Sequence, residues 1–298
     1  MSTDRIRESL VSHWSNRARG EAYFRVVDTI LERLDGRDGT LLDVGCNRGY
    51  STCAYGAAGA SKAIGLEIDP DPLMERRKFL EGLPELQRKV TFLQGTSSCL
   101  PVTTNSIDGV VMNEALSHYG DPHKSLTEAY RVLKPGGRLY VFDDNNQLDI
   151  RGYFRRRYKR WPPYWKDYDE KRRHFLREQF PEVPERKIDD LVLSSRGLTF
   201  EEMTDALGDE PDVENLPESP YDAPRDPEHG AYAEREINPL ELVEELRGIG
   251  FQPDLVPTHF SVVSVYGRLL NKVLQWLHPV SLFVAPGFTI VAGKPETE

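Results

Sequence analysis

The segment Leu41-Leu42-Asp43-Val44-Gly45-Cys46-Asn47-Arg48-Gly49-Tyr50-Ser51-Thr52 constrains the fold more than any other part of the chain. A buried strand runs into a glycine-bearing loop that opens a helix. Gly45 and Gly49 permit tight turns and close approach of a ligand to the backbone, and amides at a helix start can receive an anionic group such as a carboxylate. The Gly45-x-x-x-Gly49 spacing lacks the G-x-G-x-x-G of a dinucleotide turn, and this loop carries no Gly-Lys-Ser/Thr of a P-loop. Glu67 stands 24 residues beyond Asp43 at the end of the next strand-like run, where an acid can take both hydroxyls of a ribose. Loop and acid together point to a nucleotide-like ligand.

The following hundred residues alternate β-branched runs with helical stretches, the pattern of a parallel sheet covered on both faces. Strands are expected at Thr40–Val44, Lys62–Glu67, Val90–Gln94, 107–112 and 138–142. A helix is expected from Asp121-Pro122, an N-cap with proline at the first helical position, to the turn Lys134-Pro135-Gly136-Gly137. After a second such start at Asn238-Pro239, strands at 251–260 and 287–294 complete a seven-stranded α/β sheet. Between those strands, 266–277 reads as an amphipathic helix with Leu269, Leu270, Val273 and Leu277 on one face. That face reads as core, with contact to a membrane surface as the alternative.

The pattern divides the chain into an N-terminal helical cap (1–39), a central domain (40–145 and 238–298) and an insertion (146–237) between the fifth strand and the following helix. In the cap, Tyr23, Val26, Val27, Ile30, Leu31 and Leu34 recur at helical spacing, and Trp14 reads as packing. The first part of the insertion, 151–177, holds eleven basic residues against three acidic ones, interleaved with aromatics such as Tyr153, Trp161 and Tyr164. The balance then reverses, and 208–230 reads as an irregular loop rich in Pro, Asp and Glu. The basic part either grips phosphate and stacks on sugar or base rings, or pairs with the acidic part as a solvated helix.

A net charge of −10 argues against general affinity for nucleic acid, and no DNA partner is expected. Cys46, Cys53 and Cys99 are too few and too irregularly placed for a disulfide framework or a CxxC metal site. With no signal-like or membrane-spanning apolar run, the expected location is cytoplasmic.

Four segments in order carry a family resemblance: Leu-Leu-Asp-Val-Gly-Cys from Leu41, Ile-Gly-Leu-Glu from Ile64, Ile-Asp-Gly-Val-Val from Ile107 and Arg-Val-Leu-Lys-Pro-Gly-Gly from Arg131. The chain resembles class I S-adenosylmethionine-dependent methyltransferases, within them the small-molecule branch often called methyltransferase type 11. The resemblance spans about 40–145 and resumes at 238–294, and it implies a Rossmann-like, mostly parallel sheet with S-adenosylmethionine as cofactor. Asp43 and Gly45 would hold the methionine amino group, with Cys46 and Asn47 in the same loop, and Gly49 would let the backbone pass the cofactor. Glu67 would bind the ribose, Ile68 would pack on the adenine, and Asn113 would lie near the methionine portion. Two positions depart from the family: Gly95-Thr96-Ser97 replaces Gly-Asp, so Thr96 or Ser97 would stand in at the adenine, and Asn47 replaces a loop glycine.

A methyl group on a sulfonium needs mainly an acceptor held in line and shielded from water, so no metal is required. A hydroxyl acceptor also needs its proton removed. Glu114-Ala115-Leu116-Ser117-His118 matches the family's Glu-x-Leu-x-His, which makes His118 the candidate base and Glu114 its companion, ahead of His123, His174 and His259. Asp143 and Asp144, after the fifth strand, would position an acceptor. The expected reaction is O-methylation of a small-molecule or sugar-containing acceptor, a lipid-linked one included. The alternatives are an RNA-modifying enzyme using the basic insertion and a non-catalytic cofactor-binding or scaffold protein of the same fold.

Overall fold

The computed structural model describes residues 7–8, 10–11, 17–145, 147–150, 152, 154, 165–218, 223–258, 265–278 and 280–296. Trp14, Asn146, Arg151, Tyr153, residues 155–164 and His259, which enter the expectations above, lie outside the described residues.

Seven strands form one sheet in the order β3-β2-β1-β4-β5-β7-β6. They are β1 (Thr40–Val44), β2 (Lys62–Glu67), β3 (Val90–Gln94), β4 (Ile107–Asn113), β5 (Leu133–Asp144), β6 (Gln252–Thr258) and β7 (Gly287–Gly293). The first five are parallel, and β7 runs antiparallel between β5 and β6. The strand order reverses between β1 and β4, and in open α/β sheets the ligand crevice lies outside the carboxyl ends at such a switch.

Helices α1 (Arg17–Leu34), α2 (Tyr50–Ala58), α3 (Pro70–Glu81), α4 (Pro84–Gln87) and α5 (Pro122–Val132) belong to this part of the chain. On α1, Phe24, Val27, Ile30, Leu31 and Leu34 recur on one helical face and are buried in a core shared with Leu41, Tyr55 and Tyr140. Gly109 of β4 has a packing reason: a Cβ there would lie 2.7 Å from Leu41 Cδ2 and 3.2 Å from Leu34 Cδ1. Asp121 caps α5 through Lys124 N at 2.9 Å, as its spacing predicts.

β5 begins earlier than the 138–142 expected. Leu133 already pairs with Ile107, and the register shifts before Gly109 meets Arg138, so Pro135-Gly136-Gly137 is a bulge inside the strand. Its backbone groups are held by Lys294: Gly136 N donates to Lys294 O at 2.9 Å, and Lys294 N to Gly137 O at 2.8 Å.

The chain divides into two compact units, one of residues 1–116, 121–149 and 238–298, the other of residues 117–120 and 150–237. In the second, α6 (Trp165–Gln179), α7 (Glu185–Ser194) and α8 (Phe200–Leu207) enclose Leu176, Ile188, Leu191, Met203 and Leu207. Arg172 of α6 is fully buried and donates to the backbone oxygens of Ser195, Arg196, Leu198 and Arg225 at 2.5–2.9 Å. Burial lowers its pKa to about 10, against the upward pull of Asp169 and Asp226.

Three other described basic residues of α6 face acids. Lys171 pairs with Glu228 and Asp226, Arg173 with Glu185 and Asp189, and Arg177 with Glu185. Of the two readings of the insertion, the described residues follow the one in which its basic and acidic parts pair. The stretch 208–230 is largely irregular, as expected, with one short 3-10 turn at Val213–Asn215 and a bridge between Arg225 and Tyr232.

In the first unit, α9 (Pro239–Ile249) is capped by Asn238 and packs with β6. α10 (Val265–Trp276) forms where the periodicity puts it, but its apolar face is not core: Leu269, Leu270, Val273 and Leu277 are all exposed.

Candidate functional site

Three left-handed residues shape the loop after β1: Gly45 (φ 73°), Asn47 (φ 47°) and Gly49 (φ 68°). Asparagine tolerates that region better than most side chains, which is how Asn47 stands where the family has glycine. The loop is fastened to β2. Gly45 N and Cys46 N both donate to Leu66 O at 2.9 and 3.0 Å, and Asn47 N donates to Glu67 Oε2 at 2.7 Å. These amides, with Gly49 N donating to Cys46 O, are therefore engaged within the protein. The amides at the start of α2, which the sequence offers to an anionic group, belong to Tyr50, Ser51 and Thr52 and lie beyond this fastened part of the loop.

Gly65 lets this happen, since a Cβ on it would lie 2.7 Å from Thr52 Oγ1 and Phe92 Cδ1 and 2.8 Å from Cys46 Sγ. The glycine of Ile-Gly-Leu-Glu is thus the floor on which loop, α2 and β3 meet.

Glu67, at the tip of β2, takes Asn47 N on Oε2 and the backbone amides of Ile68 and Asp69 on Oε1, at 2.9 and 3.3 Å. A carboxylate accepts about four hydrogen bonds, so the side chain is oriented without being saturated. Ile68 is half-buried beside it, and its carbonyl accepts from Gln94 Nε2 at 3.3 Å.

Asp43 is 3% exposed, and Ser51 and Thr52 of α2 both donate to its Oδ2 at 2.6 Å. Burial raises its pKa from 3.8 to about 6, opposed by those two hydroxyls and reinforced by Glu67. A buried carboxylate without a paired cation has a use for a cationic ligand, and the amino group of a bound amino acid is such a cation. Burial also pushes the Cys46 thiol up, with Asp43 and Glu67 adding, so that side chain stays neutral.

Tyr23 of α1 joins this group, a residue whose sequence pattern marks it only as an apolar position. Its phenol is hydrogen bonded to Ser51, and burial, with the negative charges of Asp43 and Glu114, raises its pKa. A chain of polar groups thus runs Tyr23, Ser51, Asp43.

Asn113 is the last residue of β4, paired with Phe142, and the chain turns at once: Glu114 is left-handed (φ 52°) and donates its N–H to Phe142 O at 2.7 Å. Asp143 is buried near the end of β5, and its Oδ1 accepts from Asp144 N at 2.8 Å. Thr96 is exposed and bonds to Ser98 Oγ at 3.1 Å, whereas Ser97 reaches Ser125 Oγ at 2.8 Å.

His118 falls in the second unit. Its Nδ1 lies 2.8 Å from the carbonyl oxygen of Tyr232, and its own carbonyl accepts from Tyr232 N at 2.9 Å. A carbonyl only accepts, so Nδ1 carries the proton, and in the neutral ring Nε2 holds the lone pair. His123 and His174, by contrast, sit in exposed ion pairs with Glu245 and Glu178.

Residues 42–141 match the family model described as a methyltransferase domain. Over those residues the chain is similar to methyltransferase domains, whose cofactor is S-adenosylmethionine. A demethylmenaquinone methyltransferase of Symbiobacterium thermophilum is 32% identical over 133 residues, which cover 43% of this chain and 49% of that protein. The chain spans less than half the length of the first curated relatives it matches.

Among solved structures, an S-adenosylmethionine-dependent methyltransferase from Methanosarcina mazei has a TM-score of 0.53 at 19% identity, covering 90% of this chain and 98% of that one. The 4+2 cyclase SpnF has the same TM-score at 18% identity, covering 95% of this chain and 87% of that one. Both likenesses concern the fold alone, and the second shows that the fold houses other chemistry.

The fit of S-adenosylmethionine to the methyltransferase domain rests on donor chemistry. Asp43 would offer a buried anion to the ammonium, Glu67 would offer acceptors to the ribose hydroxyls, and the left-handed glycines Gly45 and Gly49 between them carry no Cβ that a ligand would meet. Among the described residues no group of three His, Cys, Asp or Glu is placed to hold a metal ion.

Proposed function

We propose that the chain transfers the methyl group of S-adenosylmethionine to a hydroxyl oxygen of a small-molecule or sugar-containing acceptor, with His118 as the base. The observation that carries this reading is the bond between His118 Nδ1 and the Tyr232 carbonyl, which fixes the tautomer with its lone pair on Nε2. A base for a hydroxyl needs that lone pair, and a backbone carbonyl keeps it in place whatever ligand is bound.

In this reading Asp43 and Glu67 hold the cofactor at the two strand tips, Ile68 packs on its adenine, and Thr96 or Ser97 replaces the family's aspartate there. Asn113 faces the methionine end. Glu114 and Asp143 flank the acceptor, and the insertion 146–237 selects it. The cofactor supplies an electrophilic methyl carbon, and the chain's residues orient the acceptor and take its proton. The relatives' names agree with a small organic acceptor, since they include a demethylmenaquinone methyltransferase and an O-methyltransferase. The pairing of Lys171, Arg173 and Arg177 with acids leaves an RNA substrate less support.

The test is incubation of the purified chain with labelled S-adenosylmethionine and an extract of its source, followed by mass identification of the product. A methylated small molecule whose formation is lost in His118→Ala supports the reading. Labelled RNA, or an undiminished product from the variant, overturns it.

A further inference from the structure

We propose that α10 and the turn that follows it dock the protein on an anionic membrane surface, with the helix lying in the plane of the headgroups. The apolar stripe of α10 recurs at Tyr266, Leu269, Leu270, Val273, Trp276 and Leu277, the spacing of one helical face. In a water-soluble domain such a face is normally the buried one. Here Tyr266 is 85% exposed, Leu269 61% and Trp276 83%. The patch continues past the helix, where Val280 is 72% exposed and Phe283 58%. Contiguous exposed apolar surface of this kind marks an interaction site.

Charge and size choose the partner. From residue 255 to 293 the chain contains no Asp or Glu, whereas Arg268 and Lys272 fall inside that stretch. In a chain of net charge −10 this is a local inversion of sign, and Lys272 is exposed on the helix. A basic helix with aromatic and aliphatic residues along one face is the composition that binds anionic headgroups while burying its apolar side at the acyl boundary. A second copy of the chain fits less well, because this segment offers no acid to pair with the exposed Lys272 of the other copy. At 12 residues the helix is about 18 Å long, too short to cross a hydrocarbon core, so it lies on the membrane.

This inference does not depend on the methyl acceptor, and its test needs no acceptor. The full chain is floated with vesicles of phosphatidylcholine alone or with about one third phosphatidylglycerol, at low and high salt. The expected result is binding to the anionic vesicles only, weakened by salt. Trp276→Ser and Phe283→Ser should each lower the partition coefficient about tenfold. Lys272→Gln should lower it about fivefold, and all three variants should keep wild-type circular dichroism and S-adenosylmethionine binding. Failure to bind anionic vesicles, or equal binding to neutral ones, would overturn the proposal. So would a wild-type dimer in light scattering that Trp276→Ser converts to monomer.

Discussion

The backbone N–H of Asn47 donates to Glu67 Oε2 at 2.7 Å, so the loop after β1 and the tip of β2 are tied by the acid expected to bind ribose. In the proposed reading Glu67 would act twice, once on the loop and once on the ligand. Glu67→Ala should weaken S-adenosylmethionine binding by tenfold or more, about 1.4 kcal/mol. Glu67→Gln, which keeps a carbonyl for Asn47 N, should lose less. Calorimetry on the two variants distinguishes these effects, and unchanged affinity in Glu67→Ala would remove the residue from the site.

Asp43 gives a pH dependence. Its folded pKa of about 6 lies above the ordinary 3.8, so the folded state binds the proton more tightly than the unfolded chain does. Folding stability is then greatest below pH 3.8 as far as this group is concerned, and declines as pH rises to about 6. Asp43→Asn should raise the cofactor-free stability above pH 6 by roughly 2 kcal/mol while weakening cofactor binding. Since a cationic ligand favours the ionised acid, wild-type affinity should fall as pH drops through 6. Melting curves and titrations at pH 5 and 8 test both statements, and a variant less stable than wild type at pH 8 would contradict the first.

His118→Ala should reduce turnover at least a hundredfold while changing cofactor affinity little, because in the proposed reading it takes the acceptor's proton and does not hold the cofactor. A variant with undiminished turnover would assign proton removal elsewhere.

Gly65→Ala should destabilise the domain by about 1–3 kcal/mol, since the added methyl meets Thr52, Phe92 and Cys46 at 2.7–2.8 Å. Chemical denaturation with and without S-adenosylmethionine should show both lower stability and weaker ligand protection.

Arg172→Met should cost about 3 kcal/mol or more, because Ser195, Arg196, Leu198 and Arg225 lose a common donor to their backbone oxygens. Hydrogen exchange should rise first in α6, α7 and α8. Exchange unchanged in those helices would show that Arg172 does not organise the second unit.

The sheet was legible because its signals are local. β1, β2 and β3 run over the residues expected, since each is a short apolar run bounded by turn or charge. The placement of Asp43 in β1 and of Glu67 at the end of β2 was legible through spacing along consecutive strands. What stayed hidden depends on contacts distant in sequence. Nothing near Tyr23 announces Ser51, and nothing near His118 announces Tyr232. Arg172 looks like its basic neighbours until the carbonyls of two other segments, the 195–198 turn and Arg225, close around it. For α10 the periodicity located the helix correctly, but periodicity reports that one face is apolar and not what that face meets.

The antiparallel seat of β7 has a consequence for biogenesis. During synthesis β5 emerges long before its neighbour, because the second unit, α9 and β6 are all translated first. Until Gly287–Gly293 slots in beside it, β5 offers an unpaired row of amides and carbonyls to any other strand in reach. The nascent chain is thus most prone to aggregate late in translation, and a slow stretch of codons or a chaperone would matter most over that interval.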